Sequence, residues 1–365
     1  MAYVDPNTHN DRIDITVNLA ALYTSGASFD VLYIATDATL DGTNVVTYSS
    51  VAEVAAALAA TQISAQAAAD LTDMMSQTRN RISRVKVATW DLAGGIDTLA
   101  DALDDAIAED SDFFYITCEV RAPANLIVLM ADVETKAASG NKFLLVMQDN
   151  DADWLTAGLP AAWATAAGKE WSAHIYHDID TEPAAACWLA NRASFDPDEE
   201  SPPWNAPVYN VAALTTGVTQ TQKAFIRSNE SNVGLPFGTA FDFYVDPGQN
   251  CNGRSCSQLV TNAWYEVRIR EALADLIASL SDEGQKLEVS ITGQQQVLAA
   301  LNAVFGRGVK AGHFVTLSGD TTAWDALAIT SADLTARRLR FEGRAQTAEG
   351  AITVTLEANL STDAI

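Results

Sequence analysis

Phe113-Phe114-Tyr115-Ile116-Thr117-Cys118 is a short, nearly all-apolar run. A strand of that composition belongs in a sheet covered on both faces, as parallel sheets are. A second buried strand follows at Lys142-Phe143-Leu144-Leu145-Val146-Met147, and a third at Trp171-Ser172-Ala173-His174-Ile175-Tyr176-His177. Helical stretches separate and follow them, near residues 123–138, 152–166 and 182–191. Upstream, Ile96, Leu99, Ala100, Leu103, Ala106 and Ile107 fall at helical spacing, with Asp97, Asp101, Asp104 and Asp105 on the outer face. Ser50 and Glu53 form a capping box that opens an Ala-rich helix. A second helix covers about 64–77, and Arg81-Ile82-Ser83-Arg84-Val85-Lys86-Val87 alternates like a strand. Strand and helix in repeated alternation predict a central, mostly parallel α/β sheet flanked by helices.

This α/β domain is assigned to residues 29–193, beginning with the apolar strand Phe29-Asp30-Val31-Leu32-Tyr33-Ile34-Ala35 and a turn at Asp41-Gly42. Residues 194–258 hold six of the ten prolines, with several glycines, and are assigned as a boundary or irregular excursion. An α+β subdomain then spans 259–349. It starts with an amphipathic helix over 260–280, continues with a helix over 294–305, and turns to strands at 312–317 and 338–344. Two regular strands sit near the ends of the sequence. In Ile13-Asp14-Ile15-Thr16-Val17-Asn18-Leu19, within residues 1–28, apolar and polar residues alternate without a break. Within residues 350–365, Ile352, Val354 and Leu356 face one way, and Thr353, Thr355 and Glu357 the other.

The chain has 365 residues, 48% of them hydrophobic, enough for a real core. Lys and Arg number 22 against 47 Asp and Glu, a net charge of −25, which argues against a nucleic-acid partner. No apolar run reaches the roughly 20 residues of a membrane helix, so no membrane insertion is expected. Residues 1–12 are polar and lack the apolar stretch of a secretory signal.

Chemistry-bearing motifs are sparse. No phosphate-binding Gly-Lys-Ser/Thr loop and no G-x-S-x-G elbow occurs. His174, His177, Asp178 and Asp180 lie within seven residues and include metal-ligating types, but His174 and His177, three apart on a strand, point to opposite faces. Asp149, Asp151 and Asp153 are spaced like the start of a calcium loop, but Trp154 replaces its glycine and Pro160 stands where its glutamate belongs. That pattern reads instead as a strand-to-helix turn with acids at a helix start. Cys251 and Cys256 bracket a polar loop, and three states are open to them: unbridged thiols, a local disulfide, or half of a zinc site. Arginines and lysines cluster at Arg79, Arg81, Arg84 and Lys86, and again at Arg337, Arg338, Arg340 and Arg344. Arg338, Arg340 and Arg344 share one face of a strand, suited either to the acidic surface of another copy or to ion pairs within the chain. No catalytic residue, cofactor or metal is assigned, and the protein is expected not to be an enzyme.

Several segments taken in order resemble contractile phage tail sheath proteins of the short form, and the sheaths of phage-tail-like contractile injection systems. They are Tyr48-Ser49-Ser50-Val51-Ala52-Glu53 opening a helix, Met75-Ser76-Gln77-Thr78-Arg79 running on to a basic strand, Asn262-Ala263-Trp264-Tyr265-Glu266-Val267-Arg268 in the long helix, and Gly350-Ala351-Ile352 at the final strand. The resemblance implies a virion structural protein that assembles in the host cytoplasm. It implies hexameric rings stacked helically around a tail tube protein, with baseplate and tail terminator proteins as further partners. It also implies contraction that drives the tube through a cell envelope for genome ejection. Sheath arms add strands to neighbouring subunits; the strands carrying Ile13, Ile15, Val17 and Leu19, and Ile352, Val354 and Leu356, are the candidates for this β-augmentation. The alternatives are an α/β metal-dependent hydrolase using His174 and His177, or another structural protein of the tail or baseplate.

Overall fold

A computed structural model describes residues 10–18, 29–40, 43–91, 98–164, 168–238, 241–315, 324–336, 338–347 and 350–359. Its elements in chain order begin with β1 (Asn10–Asn18), β2 (Val31–Thr36), β3 (Val45–Tyr48), α1 (Val51–Ala59), α2 (Ala65–Met75), β4 (Val85–Trp90) and α3 (Leu99–Glu109). Then come β5 (Tyr115–Cys118), α4 (Pro123–Ala138), β6 (Leu144–Asp149), β7 (Ser172–Tyr176), α5 (Ala184–Ala193), α6 (Gln220–Ser228), β8 (Asn232–Phe237) and β9 (Phe241–Asp246). The last part holds α7 (Cys256–Asp282), α8 (Ile291–Ala311), β10 (Trp324–Ala326), α9 (Ser331–Ala336), β11 (Arg338–Thr347) and β12 (Gly350–Asn359). The chain divides into two compact units, with boundaries after residues 27, 196, 201 and 259.

One unit is built on an eight-stranded sheet ordered β3-β4-β2-β5-β6-β7-β8-β9. From β4 to β8 neighbouring strands run parallel, and the edge strands β3 and β9 are antiparallel to theirs. The apolar runs fill its middle: every residue of β5, β6 and β7 is buried, because helices cover both faces of such a sheet. Helix starts follow their caps. Ser50 accepts from the Glu53 amide, while the Glu53 carboxylate accepts from the amide of Ser49; Thr98 and Asp101 close a full capping box on α3.

Three expectations shift. The helix expected over 152–166 is two short 3-10 turns, Ala152–Leu155 and Ala161–Trp163, because Gly158 takes a left-handed φ of 100° and Pro160 follows. The basic segment Arg81 to Arg84 precedes β4 instead of starting it. The Pro/Gly-rich stretch is no detached excursion, since it supplies α6 and the paired strands β8 and β9 that finish the sheet. Gly234 is required there: a Cβ would lie 2.0 Å from the ring of Phe243 on the partner strand.

The second unit holds a four-stranded sheet ordered β1-β12-β11-β10. β1 runs parallel to β12, and β12–β11 and β11–β10 are antiparallel. Leu339, Phe341 and Leu356 are buried from this sheet, as are Trp264, Tyr265, Leu301, Val304 and Phe314 from α7, α8 and the loop after it. α8 runs longer than expected because Ser290 caps its start and Gly312, at φ 84°, ends it. The strand expected over 312–317 is therefore not formed at Gly312–Val315, and its last two residues lie outside the described residues. Trp324 donates its indole N–H to the Tyr265 hydroxyl at 2.6 Å. His313 stacks on Trp264 at 4.4 Å and donates from Nε2 to the Pro197 carbonyl at 2.6 Å. Its Nδ1 accepts from Thr261 at 2.8 Å, and burial pushes its pKa below the ordinary value. Among the described residues no helix is long and apolar enough to cross a membrane.

Candidate assembly strands and internal polar clusters

The two candidate arm strands meet in one chain. β1 and β12 pair in parallel from Asn10↔Ala351 to Asn18↔Asn359, with Ile13 against Val354, Ile15 against Leu356 and Val17 against Ala358. β12 pairs on its other side with β11 over its full length, so Ile352 lies opposite Ala345. Within the single chain the two strands pair with each other and satisfy backbone groups along their shared side. Leu19 lies outside the described residues.

The charged and sulfur candidates are also satisfied internally. Asp333, three residues after Thr330, completes a capping box on α9 and receives Arg338 at 2.8 Å and Arg340 at 2.9 Å. The Thr330 hydroxyl and amide, then the arginines, hold its carboxyl well below the usual range. These two arginines therefore make ion pairs within the chain; the side chain of Arg344 lies outside the described residues. In the other basic cluster, Arg84 meets Asp30 at 2.6 Å and Lys86 meets Asp110 at 2.7 Å. Cys251 and Cys256 are buried and not bridged, so the local disulfide is not formed. Asn250 organises this loop instead: its Oδ1 accepts from the amides of Asn252 and Arg254, and its Nδ2 donates to the Glu170 carbonyl.

The histidines diverge. His177 Nε2 donates to the Ala212 carbonyl at 3.0 Å, and its Nδ1 accepts from the Ile179 amide at 3.1 Å. His174 lies between Ser231, 2.6 Å from Nδ1, and Asp149, 3.2 Å from Nε2. Serine, histidine and aspartate in line share the residue types of a nucleophilic triad, but Ser231 and His174 are 0% exposed and Asp149 2%. A nucleophile there has no path to a substrate. Asp149 is instead an internal acceptor: Trp154 donates to it at 2.8 Å, Trp163 donates to its other oxygen, and Trp154 stacks on His174 at 4.2 Å. Asp151 caps the turn that follows. Among the described residues no group of three or more His, Cys, Asp or Glu is placed to hold a metal ion.

The crevice where an open α/β sheet usually binds ligands is filled too. β4 and β5 flank β2, so strand order reverses at the carboxyl end of β2. There Arg121 donates to Asp70 at 2.8 Å, Tyr33 donates to the same oxygen at 2.7 Å, and Gln66 to the other at 2.6 Å. Glu119 accepts from the Thr36 amide and from Ser64. The sequence carried one sign of this cluster: Asp70 stands among Ala67, Ala68, Leu71 and Met74 on the buried stripe of α2.

Over most of the chain, the fold is similar to that of solved structures. The sheath tail protein Lin1278 from Listeria innocua superposes with a TM-score of 0.63 at 11% identity, over 94% of this chain and 98% of that one. The fold is that of sheath tail proteins. The anti-feeding prophage baseplate structure matches at 0.61 and 12% identity, over 95% of this chain and 94% of that one. The contracted helical sheath of the same prophage matches at 0.60 and 13% identity, over 88% and 90%. No protein-family model and no curated protein matches the sequence. At these identities the sheath fold rests on shared topology, with little sequence in common.

One acid on the sheath fold gives a pH test. Half-buried Asp73 lies near Asp70 and Glu182, and desolvation first, then these charges, raise its pKa to about 6. Its unfolded value is near 3.8, so between the two the folded chain holds the extra proton and stability falls as pH rises. Asp73→Asn is expected to raise the melting temperature at pH 7–8 and to lose that advantage near pH 3. An equal effect at both pH values in thermal scans would remove the assignment.

Proposed function

We propose that this chain is the subunit of a contractile tail sheath. Copies polymerise as hexameric rings stacked around an inner tube, and contraction drives the tube through a cell envelope. The observation that carries this is the near full-length likeness to a sheath solved as a helical assembly. Baseplate, tail terminator and tube proteins are its partners, the virion tail is its place, and the host cytoplasm is where it is built. The work comes from interfaces between copies, without a catalytic residue. In the polymer, β1 of one copy occupies beside another copy's β12 the place it holds here in its own sheet; the nine-residue register between them supports that donation.

Deletion of residues 1–18 tests it. That removes an edge strand and leaves β12, β11 and β10 paired, so the shortened chain is expected to stay folded and monomeric by sedimentation while the full chain forms hollow cylinders in negative stain. Cylinders from the shortened chain at full yield would exclude donation of β1. Removing 351–365 is a poorer test, because it takes β12 out of the middle of the sheet.

Salt should matter as well. Copies at −25 each repel when packed, and the screening length is about 10 Å at 0.1 M salt. Polymer yield by pelleting is expected to rise from low to moderate ionic strength; a flat response would mean that the acids are already neutralised by pairing between copies.

A further inference from the structure

We infer that the β1–β12 pair is a self-capping contact: it keeps the unassembled subunit closed, and assembly proceeds by exchanging β1 from its own sheet to that of a neighbour. The inference rests on the strand donation proposed above. β1 pairs in the described structure with β12 alone, over nine residues in parallel register. It is the outer strand of its sheet, whereas β12 is held on its far side by ten pairs to β11. β1 can therefore leave without disturbing the antiparallel core, and β12 cannot. While β1 sits beside β12, that side of β12 is taken and not open to a neighbour's β1.

Exchange breaks and remakes the same backbone hydrogen bonds, so pairing energy alone favours neither state. What separates them is connectivity. In its own sheet β1 has the high local concentration of a tethered strand; in trans it depends on subunit concentration and on the other contacts of a ring. Closed monomers should thus prevail when dilute. Assembly should show a lag, because β1 must open before it can be donated, a step typical of domain swapping.

A reversible lock tests this. Thr16 and Glu357 are in register, and neighbouring strands about 4.8 Å apart fall inside the Cα separation a disulfide spans. The variant Thr16→Cys with Glu357→Cys, oxidised when dilute, is expected to bridge within one chain on a non-reducing gel. It should remain monomeric at concentrations where wild type forms cylinders, and polymerise once reductant is added. Thr16→Cys with Thr353→Cys, four residues out of register, should not bridge. Thermal unfolding of the oxidised protein checks that the lock leaves the fold intact.

Bridging mainly between chains, bridging of the out-of-register pair as readily, or normal polymerisation of the oxidised variant would each overturn self-capping while leaving the sheath proposal standing. If reduced and wild-type proteins form no cylinders at any concentration or salt, the sheath proposal fails, and self-capping falls with it even where the intrachain bridge forms.

Discussion

Arg121→Met is expected to cost the α/β unit about 3–5 kcal/mol, the range for breaking one partner out of a buried ion pair. Asp70 is wholly buried and the Arg121 side chain is 8% exposed, at 2.8 Å. Without the guanidinium, the carboxylate keeps Tyr33 and Gln66 as its donors among the described residues, and two neutral hydrogen bonds do not replace a charge removed from water. The Cys118 carbonyl, which also accepts from Arg121, loses a donor. Urea unfolding of the single variant should show a lower midpoint with an unchanged slope. The double variant Arg121→Met with Asp70→Leu should recover only part of the loss: it removes the uncompensated buried charge but leaves the buried Tyr33 hydroxyl without its acceptor. A single variant within about 1 kcal/mol of wild type, the scale of a solvent-exposed pair, would mean that water reaches this cluster.

Asp149→Ala is expected to be nearly as damaging, about 3 kcal/mol or more, because it strands several buried donors at roughly 1–3 kcal/mol each. The indoles of Trp154 and Trp163 both donate to this carboxylate and His174 lies 3.2 Å from it. Trp154 and Trp163 are 1% and 0% exposed, so no solvent substitutes. Asp149→Asn keeps one oxygen as an acceptor and should lose less. Tryptophan fluorescence during denaturant unfolding reads both the stability change and the altered surroundings of the indoles. Equal losses for Ala and Asn would show that the negative charge, more than acceptor geometry, holds the two turns.

The sheet was legible where composition alone decides. β5 and β6 are so apolar that only burial on both faces suits them, and the cap at Ser50 stands beside the helix it starts. What lay hidden depends on residues far apart in the chain. β8 begins Asn232-Val233-Gly234 among turn-forming residues and becomes a strand because β7 and β9 flank it. Residues 152–166 have helical composition, but Gly158 and Pro160 break the segment and the two tryptophans are drawn to Asp149. Alternation along β11 set Leu339 and Phe341 opposite the arginines, which burial bears out; no spacing rule said that Arg338 and Arg340 would both meet Asp333. Asp149 read as one acid of a turn because its partners Trp163 and His174 lie 14 and 25 positions away. The periodicity of β1 and β12 identified two good strands, while their choice of partner is a matter of topology.

The parallel pairing of β1 with β12 has a consequence during synthesis. β1 is translated well before its partner Gly350–Asn359, and at roughly 5–20 residues per second the wait is on the order of tens of seconds. For that time the nascent chain on the ribosome carries a strand with no mate, close to sister chains growing on the same message. Polysome spacing, as much as the finished subunit's affinity for itself, then bears on whether that strand is first taken up at home or by a sibling.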